Sequence, residues 1–577
     1  DATKKLVSAY LNDVAVTVLP NAPIDADTGL PVPTIAVATQ SGISIIKDTG
    51  TVVDITVSSG GYTHITDVDL SSDGWVAWSH SDSRSAKAAP IPSADTTYGF
   101  WTYASGAYNY YESHAFASNL GNVPALVSVA GGITDHILGK VVVSTDGLTL
   151  LGLQKNYDVG VFGDADMPLS AYITSDYNTG WMMSGIKLAT LSDTEAADNT
   201  EYVGGYGDFT DGNAWTKDTG WSTGSNVATK TAGTGANYIT RASSATFVSG
   251  EWYQAEFDVL SGNGPHVQLV NRHTNGVVKP YTNTTNVDVA FFAVGSKCYA
   301  IWQQNTNNTN IVSLYASVAV SLDNFKIYKL SAHDRSYENN HLIRHGTITK
   351  TAVATSAELM SYSGFSASNY LTRPHNNDFE FGTSDWSMMG WITQNGTAST
   401  QHPIQLGLTS GSSSEISILR QTSSSAMLLG FRVRGDSGSY AAYPAGGLMT
   451  DNVWTHFVLT KKGNLLMWYI NGKLIHSVAS SNVGNIGFSS SDILRIGHGA
   501  STITADIMKL ALLRISATAP SEEQIKKMYN DEKHLFSTNA KATLYGTSNN
   551  TSAIAYDEDT ELLHVGTSAG RSVFQGL

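Results

Sequence analysis

Cysteine is almost absent: the 577 residues hold one, Cys298. An intrachain disulfide and a Cys-rich metal site are both excluded, so stability rests on packing alone. Cys298 lies in the apolar stretch DVAFFAVGSKCYAIW and reads as a buried small hydrophobe rather than a nucleophile. Charge is scarce as well. Asp, Glu, Lys and Arg make up 14% of the chain, against roughly a quarter in ordinary globular proteins. The balance is acidic, with a net charge of −15 and no Lys/Arg cluster, which argues against a groove tracking nucleic-acid phosphates and against adhesion to an anionic membrane. Apolar runs stay short of the ~18 residues that a membrane span needs. No basic-then-apolar secretion signal opens the chain, and the first residue is Asp rather than Met, so a processed or partial product is expected.

What is present points to β structure. Apolar residues reach 41%, Gly numbers 53, and Tyr and Trp number 27 and 12. Thr, Tyr and Trp suit a pleated surface, while Gly and Asn suit tight turns, so many short strands are expected. The length exceeds what one core supports, and several domains follow.

Residues 1–198 carry strand-sized phrases at short spacing. SSDGWVAWS (71–79) and STDGLTLLG (144–152) share an Asp-Gly turn before an alternating run, a strong hairpin signal. TIAVATQ, VVDITV, HITDVDL, KVVVST and VGVFG are further strands, and this spacing suits a sandwich, a barrel or propeller blades. Residues 199–333 have the size and aromatic strands of a jelly-roll sandwich. Residues 334–536 are a connector followed by a second sandwich, with strands WSMMGWI, LLGFRVRG, WTHFVLTKKG, LLMWYINGKLIHS and KLALLRI and a tight turn at Asn471-Gly472. It ends in a helix that Ser521 caps and Gln524 answers, with Ile525, Met528 and Tyr529 on one face.

Residues 537–577 return to the opening texture. Setting Ile35 over Leu563 aligns Val37 with Val565, Thr39 with Thr567, Gly42 with Gly570 and Ser44 with Ser572. The expectation is an all-β protein: a propeller-like repeat domain, split between residues 1–198 and 537–577, with two inserted β-sandwiches. A separate small β domain at the end is the alternative.

Three stretches carry family resemblances. NAWTKDTGWSTG…SLDNFKIYKL resembles carbohydrate-binding jelly-roll modules. YLTRPHNNDFEFGTSDWSMMGWI…VWTHFVLTKKGNLLMWYINGKLIHS…ALLRISATAPSEEQIKKMY resembles a laminin-G or concanavalin-A-like sandwich. The connectors SDYNTGWMMSGIKLATLSDT, HGTITKTAVATSAELMSYSGFSASNYL and ELLHVGTSAGRSVFQGL are similar to tail fibre and tail-associated proteins of marine tailed bacteriophages. The first 160 residues match no family. The resemblance implies an extracellular virion protein, a phage tail adhesin that holds bacterial surface polysaccharide beside other tail proteins. Weak sites multiplied by copy number imply a homo-oligomer. A trimer is the habit of tail fibres, although no heptad stretch would drive one. A polysaccharide depolymerase and a structural tail component with decorative sandwiches are the rival readings.

Sugar binding needs flat aromatic faces beside amides and carboxylates. The candidates are Trp302 with Gln303 and Gln304, next to the NTNNTN loop, followed by Trp252 and Tyr281; Tyr253, Gln268, Asn271 and Arg272 are neighbours in sequence. The resemblance makes Trp215 and Trp221 structural, and the strand patterns of Trp391 and Trp454 favour core packing. AYNYYESHAF (107–116) is either a receptor-facing loop or a strand with outward tyrosines. Asp25-Ala26-Asp27-Thr28-Gly29 starts like a calcium loop but lacks the Glu at the twelfth position, so a turn is expected. Laminin-G folds can bind Ca²⁺ at a rim, so the resemblance leaves Ca²⁺ open without assigning its ligands, and neither a metal site, another cofactor nor a catalytic residue is assigned. The pair Asp164 and Asp166 lacks the context of a catalytic site. Thr216–Trp221 resembles a sialidase Asp-box with altered Trp spacing, in the binding module, and implies no sialidase chemistry.

Overall fold

The structure, a computed structural model, describes the chain apart from residues 1–4, 59–63, 73, 81–84, 100–107, 112–125, 130–138, 145–146, 153–168, 184, 191–199, 236, 243–245, 249–250, 263–266, 271–276, 279–289, 295–296, 304–310, 317–318, 331–333, 337, 396–400, 408–413, 424–425, 490, 500–507, 558–559, 561 and 576–577. The described residues are mostly strand, with one α-helix, Glu522–Glu532.

Four small sheets come from the two ends of the chain. The first runs Leu11–Thr17, Thr34–Thr39, Gly42–Ile46, Val52–Ser58, with Thr96–Gly99 added in parallel. The second runs Ile65–Leu70, Trp75–His80, Ser85–Pro90, Tyr108–Tyr111, and the third Leu126–Val129, Gly139–Ser144, Gly147–Gly152, Leu169–Ile173. The last is Thr551–Asp557, Leu562–Thr567, Gly570–Gln575. First strands follow one another in space: Leu11–Thr17 lies beside Ile65–Leu70, that beside Leu126–Val129, and that beside Thr551–Asp557. No ladder joins the last sheet to the first three among the described strands. Packing does: Leu563 and Val565 share a core with Leu148, Leu150 and Leu169 of the third sheet and with Ile525 and Met528 of the helix.

The sequence echo is one hairpin built twice. Thr39 pairs with Gly42 and Val37 with Ser44; Thr567 pairs with Gly570 and Val565 with Ser572. Gly42 has φ +143 and Gly570 φ +144, and a Cβ on Gly42 would stand 2.3 Å from the Ile55 carbonyl oxygen. Thr39 Oγ1 accepts the Ser41 N–H at 3.2 Å, and Thr567 Oγ1 accepts that of Ala569 at 3.2 Å. Each serine then holds an incoming segment: Ser44 Oγ accepts the Val7 N–H at 2.8 Å and Ser572 Oγ that of Tyr545 at 2.8 Å. Three of the four identities, Thr, Gly and Ser, are thus the residues that this turn and its tether require, and the fourth, Val37 and Val565, is buried.

The jelly roll packs a sheet of Thr216–Lys217, Asn237–Ala242, Ile311–Ala316, Val267–Val270 and Val277–Val278 against one of Trp221–Gly224, Val227–Lys230, Val320–Lys329, Trp252–Gly262, Lys297–Gln303 and Ala290–Val294. Trp215, Trp221, Tyr253 and Phe257 fill its core together with Cys298, whose thiol burial pushes up to about 11. Trp302 belongs to this core too. It is 6% exposed, stacked on Tyr253 at 5.7 Å with Phe247 at 6.3 Å, so the sugar-stacking role expected of it is corrected: position 302 points inward on its strand and packs.

The second sandwich faces a sheet of Ile343–His345, Tyr370–Pro374, Ile493–Ile496, Gln401–Gly407, Glu415–Ser423, Ala426–Gly435 and Gly438–Ala442 against one of Thr349–Ala352, Met360–Ser363, Met508–Ser516, Trp386–Gln394, Thr455–Lys462, Leu465–Ile470 and Lys473–Ala479. An unexpected strand joins the second sheet. Ile186–Thr190, which precedes the jelly roll, pairs with Leu513–Ser516, while Tyr362 pairs with Leu510 of the same strand. Leu512, at φ 48, sits where the strand changes partner. The helix carries the expected capping box: Ser521 Oγ accepts the Gln524 N–H at 3.2 Å, and Gln524 Oε1 accepts that of Ser521 at 2.9 Å. Its last residue, Glu532, is buried and takes a paired contact from Arg514, 3.0 Å from Nη2 to Oε2, while Trp391 Nε1 donates at 2.7 Å and the Trp181 N–H at 2.9 Å. Burial pushes this carboxyl up, and Arg514 more than reverses it, leaving the group below the usual carboxylate range.

Two changes test this packing. Glu532→Gln strands the Arg514 guanidinium without a counter-charge and should cost ~3–5 kcal/mol, read as a fall in denaturant midpoint. Trp302→Ala should cost ~3–5 kcal/mol by opening a core cavity. Acid should also destabilise the protein. Burial holds the imidazoles of His341, His345 and His456 down, to about 3, 4 and 4, so they stay neutral in the folded chain. The unfolded chain takes up these protons below about 6.5. Stability is therefore full above that pH and is lost as pH falls towards the folded values, an effect calorimetry should register as a falling Tm between about pH 7 and pH 4.5. Asp334, raised by burial, opposes part of the loss.

Candidate functional site

A row of polar side chains lies on the outer face of the sheet that begins at Ile343–His345, with Thr372, Gln405, Ser417 and Glu415 buried and Arg495 and Arg432 part-exposed. Successive side chains of a strand alternate faces. Ile404, Leu406, Ile416, Ile418, Phe431, Val433, Leu494 and Ile496 point into the sandwich core, so their neighbours point out. Register then lines up one outward row: Thr372 opposite Arg495, Arg495 opposite Gln405, Gln405 opposite Ser417, Ser417 opposite Arg432. Five strands at ordinary spacing make a track of roughly 20 Å. Glu415 and Arg434, two positions along from Ser417 and Arg432, share this face.

Towards one end of the track is Glu415, fully buried. Its Oε1 accepts from Gln405 Nε2 at 3.0 Å and from the Ser417 hydroxyl. Its Oε2 has no hydrogen-bond partner, with Arg432 Nη1 at 3.7 Å. His402 Nδ1 stands 3.7 Å from Oε1 and 3.3 Å from Gln405 Nε2. Burial pushes the His402 imidazole down, and Glu415 opposes it in part. Tyr443 closes this end, its phenol raised by burial; a Cβ on Gly430 would stand 2.7 Å from its ring. A buried carboxylate oxygen without a donor costs free energy.

The other end is aromatic. Rings of Tyr299, His345, Tyr370 and His498 follow one another at 5.3, 4.3 and 5.0 Å, the middle pair stacked at 15°. His345 Nε2 meets Thr372 Oγ1 at 2.8 Å and Nδ1 meets the Tyr299 hydroxyl at 3.2 Å. Tyr299 comes from the jelly roll, so the row crosses from one sandwich to the other. The seam is fixed by Gln254, whose amide donates to the Arg344 carbonyl at 2.9 Å and accepts the Arg344 N–H at 2.8 Å. Arg344 lies 4.0 Å over the Tyr328 ring. Burial raises the Glu256 carboxyl nearby, with Lys297, Lys326 and Arg344 pulling it back. Shifted titrating groups thus gather along this seam, as they do at functional sites.

The expected sugar residues fall elsewhere. Trp302 is in the core. Trp252 is half-buried at the seam, its ring 4.0 Å from that of His341 and packed beside Tyr299, Ile301, Leu330 and Ile343. The backbone of Gln303 ends its strand; its side chain, Gln304 and Tyr281 lie outside the described residues, as do Asp164, Asp166 and most of AYNYYESHAF. Trp391 and Trp468 are core residues, and Trp454 Nε1 donates to the Val353 carbonyl at 2.8 Å. Asp25 forms a turn, its Oδ1 accepting the N–H groups of Asp27 at 3.1 Å and Thr28 at 2.8 Å. Thr216–Trp221 likewise turns, with the Trp221 N–H on the Asp218 carbonyl at 3.1 Å. No group of three or more His, Cys, Asp or Glu is placed to hold a metal among the described residues. Glu415, Gln405, Arg495 and Arg432 were not anticipated. The one signal was FRVRG, where arginines alternate with core residues.

Comparison with known proteins bears on the second sandwich. No curated protein matches the chain. Among solved structures, a botulinum neurotoxin type C structure described by its interaction with two ganglioside molecules is 16% identical at a TM-score of 0.26, over 34% of this chain and 47% of the toxin, under half the toxin's length. A Trypanosoma rangeli sialidase bound to the inhibitor DANA is 8% identical at 0.25, over 91% and 94%. A heptameric SAP-like pentraxin of Limulus polyphemus is 12% identical at 0.22, over 33% and 83%. Likenesses this distant carry no argument. Residues 365–526 match the family described as the concanavalin A-like lectin/glucanases superfamily, and so this part of the chain is a lectin-like sandwich similar to that family.

Proposed function

We propose that the chain is a glycan-binding adhesin and that the outer face of its lectin-like sheet is the binding surface. The open Oε2 of buried Glu415, set beside Arg432 in a row of amide, hydroxyl and guanidinium groups, is the observation that carries this reading. Sugar hydroxyls donate to such a carboxylate and accept from such a guanidinium, while the Tyr370 and His345 rings supply flat apolar contact. The family match over residues 365–526 supports the same chemistry. Hydrolysis of a glycosidic bond ordinarily uses two carboxylates, and Glu415 is the one carboxylate of the row among the described residues, so binding without cleavage is the reading carried here.

The wording of the connectors supports a setting on a phage tail, with bacterial surface polysaccharide as the ligand. In that setting the four small sheets are blades of a body fed by both chain ends, and the two sandwiches are its passengers. Shallow sites of this kind gain strength from copy number.

Arg432→Ala should lower affinity for a bacterial polysaccharide by about tenfold in calorimetric titration, with Tm held within a few degrees because this side chain is part-exposed. Glu415→Gln, of equal size, should weaken binding without loss of fold. A blank glycan array at high protein concentration would refute the proposal, and release of reducing ends on incubation would replace it with a depolymerase.

A further inference from the structure

The jelly roll meets the second sandwich through a small apolar contact. Tyr299, Ile301, Leu330 and Ile343 are its buried side chains, with Trp252 packed beside them. The interior of each sandwich is far larger. Local opening begins where buried apolar contact is least, and here that is the seam rather than either sandwich.

Two histidines face the seam from the connector, and each touches one aromatic ring of the jelly roll. The His341 ring lies 4.0 Å from Trp252 and the His345 ring 5.3 Å from Tyr299. Both are bonded as neutral imidazoles. His341 Nδ1 accepts the Asp334 N–H at 2.8 Å, so a proton can add there only by breaking that bond, and Nε2 is buried without a hydrogen-bond partner. His345 meets a hydroxyl at each nitrogen, Thr372 at 2.8 Å and Tyr299 at 3.2 Å, which one donor and one acceptor on a neutral ring satisfy.

The surroundings oppose a charge on either ring. Arg335 and Arg373 stand toward His341. Asp334 is committed to the N–H groups of Ala189, Ser336 and Asn340 and to the Ser336 hydroxyl, while Asp378 acts on Arg373. Lys297 of the jelly roll and His498, across Tyr370, oppose a charge on His345. Glu256 and Asp258 act on Tyr299, but Asp258 is paired with Lys297 at 3.3 Å, and Glu256 is drawn on by Lys297, Lys326 and Arg344. Each of these carboxylates is thus already engaged. His456, the third buried imidazole, packs on Trp391 and Tyr529 at the helix, on the other sheet of the second sandwich.

We propose that the seam is an acid-opened joint: when His341 and His345 take up protons, the jelly roll parts from the second sandwich while each stays folded. The closed seam refuses these protons until pH falls towards about 3 and about 4, whereas a ring released into water takes one near 6.5. Closure is therefore fully favoured above about 6.5 and weakens as pH falls. Between pH 7.5 and pH 5 the two histidines together should raise the ratio of open to closed chains by roughly two to three orders of magnitude. The joint does not depend on what the outer face of the lectin-like sheet binds.

The Arg344 N–H crosses the seam to Gln254 Oε1 at 2.8 Å and reports on it directly. Hydrogen exchange on the full chain, corrected for intrinsic rates, should show this amide losing protection about a hundredfold or more from pH 7.5 to pH 5. The strands Trp386–Gln394 and Val320–Lys329 should keep theirs. Small-angle scattering should show a radius of gyration that grows at pH 5 and reverts at pH 7.5. His341→Asn with His345→Gln, uncharged at either pH, should make Arg344 protection indifferent to pH; if that pair costs the fold, exchange in the unaltered chain decides by itself. Equal protection of Arg344 at both pH values, its loss together with that of both sandwiches, or a doubly substituted chain that still opens at pH 5 each overturns the proposal.

Discussion

Glu532 receives hydrogen bonds from three places far apart in the chain: the backbone of Trp181, the indole of Trp391 and the guanidinium of Arg514. Breaking the compensation of a buried carboxylate is strongly destabilising. The helix carrying it can therefore sit in one place only, against the closing strand of the lectin-like sandwich and the segment that leads out of the third small sheet. Ile525 and Met528 of that helix share a core with the third and the last small sheets. The position of the lectin-like sandwich relative to the end segments rests on this node.

A second tie sets the jelly roll. Gln254 copies a strand edge with its amide, offering one donor and one acceptor to Arg344. Behind it, the buried Asp334 takes the N–H groups of Ala189, Ser336 and Asn340, and Asn340 reaches Asp378 and Arg373. The connector between the two sandwiches is a dense polar joint. The aromatic row at the seam depends on it, since Tyr299 would otherwise not meet His345.

Strands, tight turns and the helix cap were legible because each is decided locally. Asn471-Gly472 adopts positive φ at both residues, and Ser521 with Gln524 satisfies its own turn. The echo of Thr39, Gly42 and Ser44 was legible for the same reason. The strand Ile186–Thr190 was not, because its partner lies more than 300 residues onward and no local pattern names it. The site escaped for a related cause. Whether Trp302 points in or out is a matter of strand parity, which an apolar run such as KCYAIW does not declare. Glu415, Gln405 and Arg432 come together only through the register of three strands, and polar residues alternating with apolar ones look the same on any half-solvated sheet.

The core shared by Leu150 and Leu563 has a consequence for biosynthesis. A ribosome adding ~5–20 residues each second completes the third sheet roughly 400 residues before its covering strand emerges. For tens of seconds the nascent chain holds an uncovered apolar sheet while two whole sandwiches are spun out behind it. Maturation of this protein is in that sense retrograde: its early portion waits on its tail, and a holding chaperone is the natural companion of that interval.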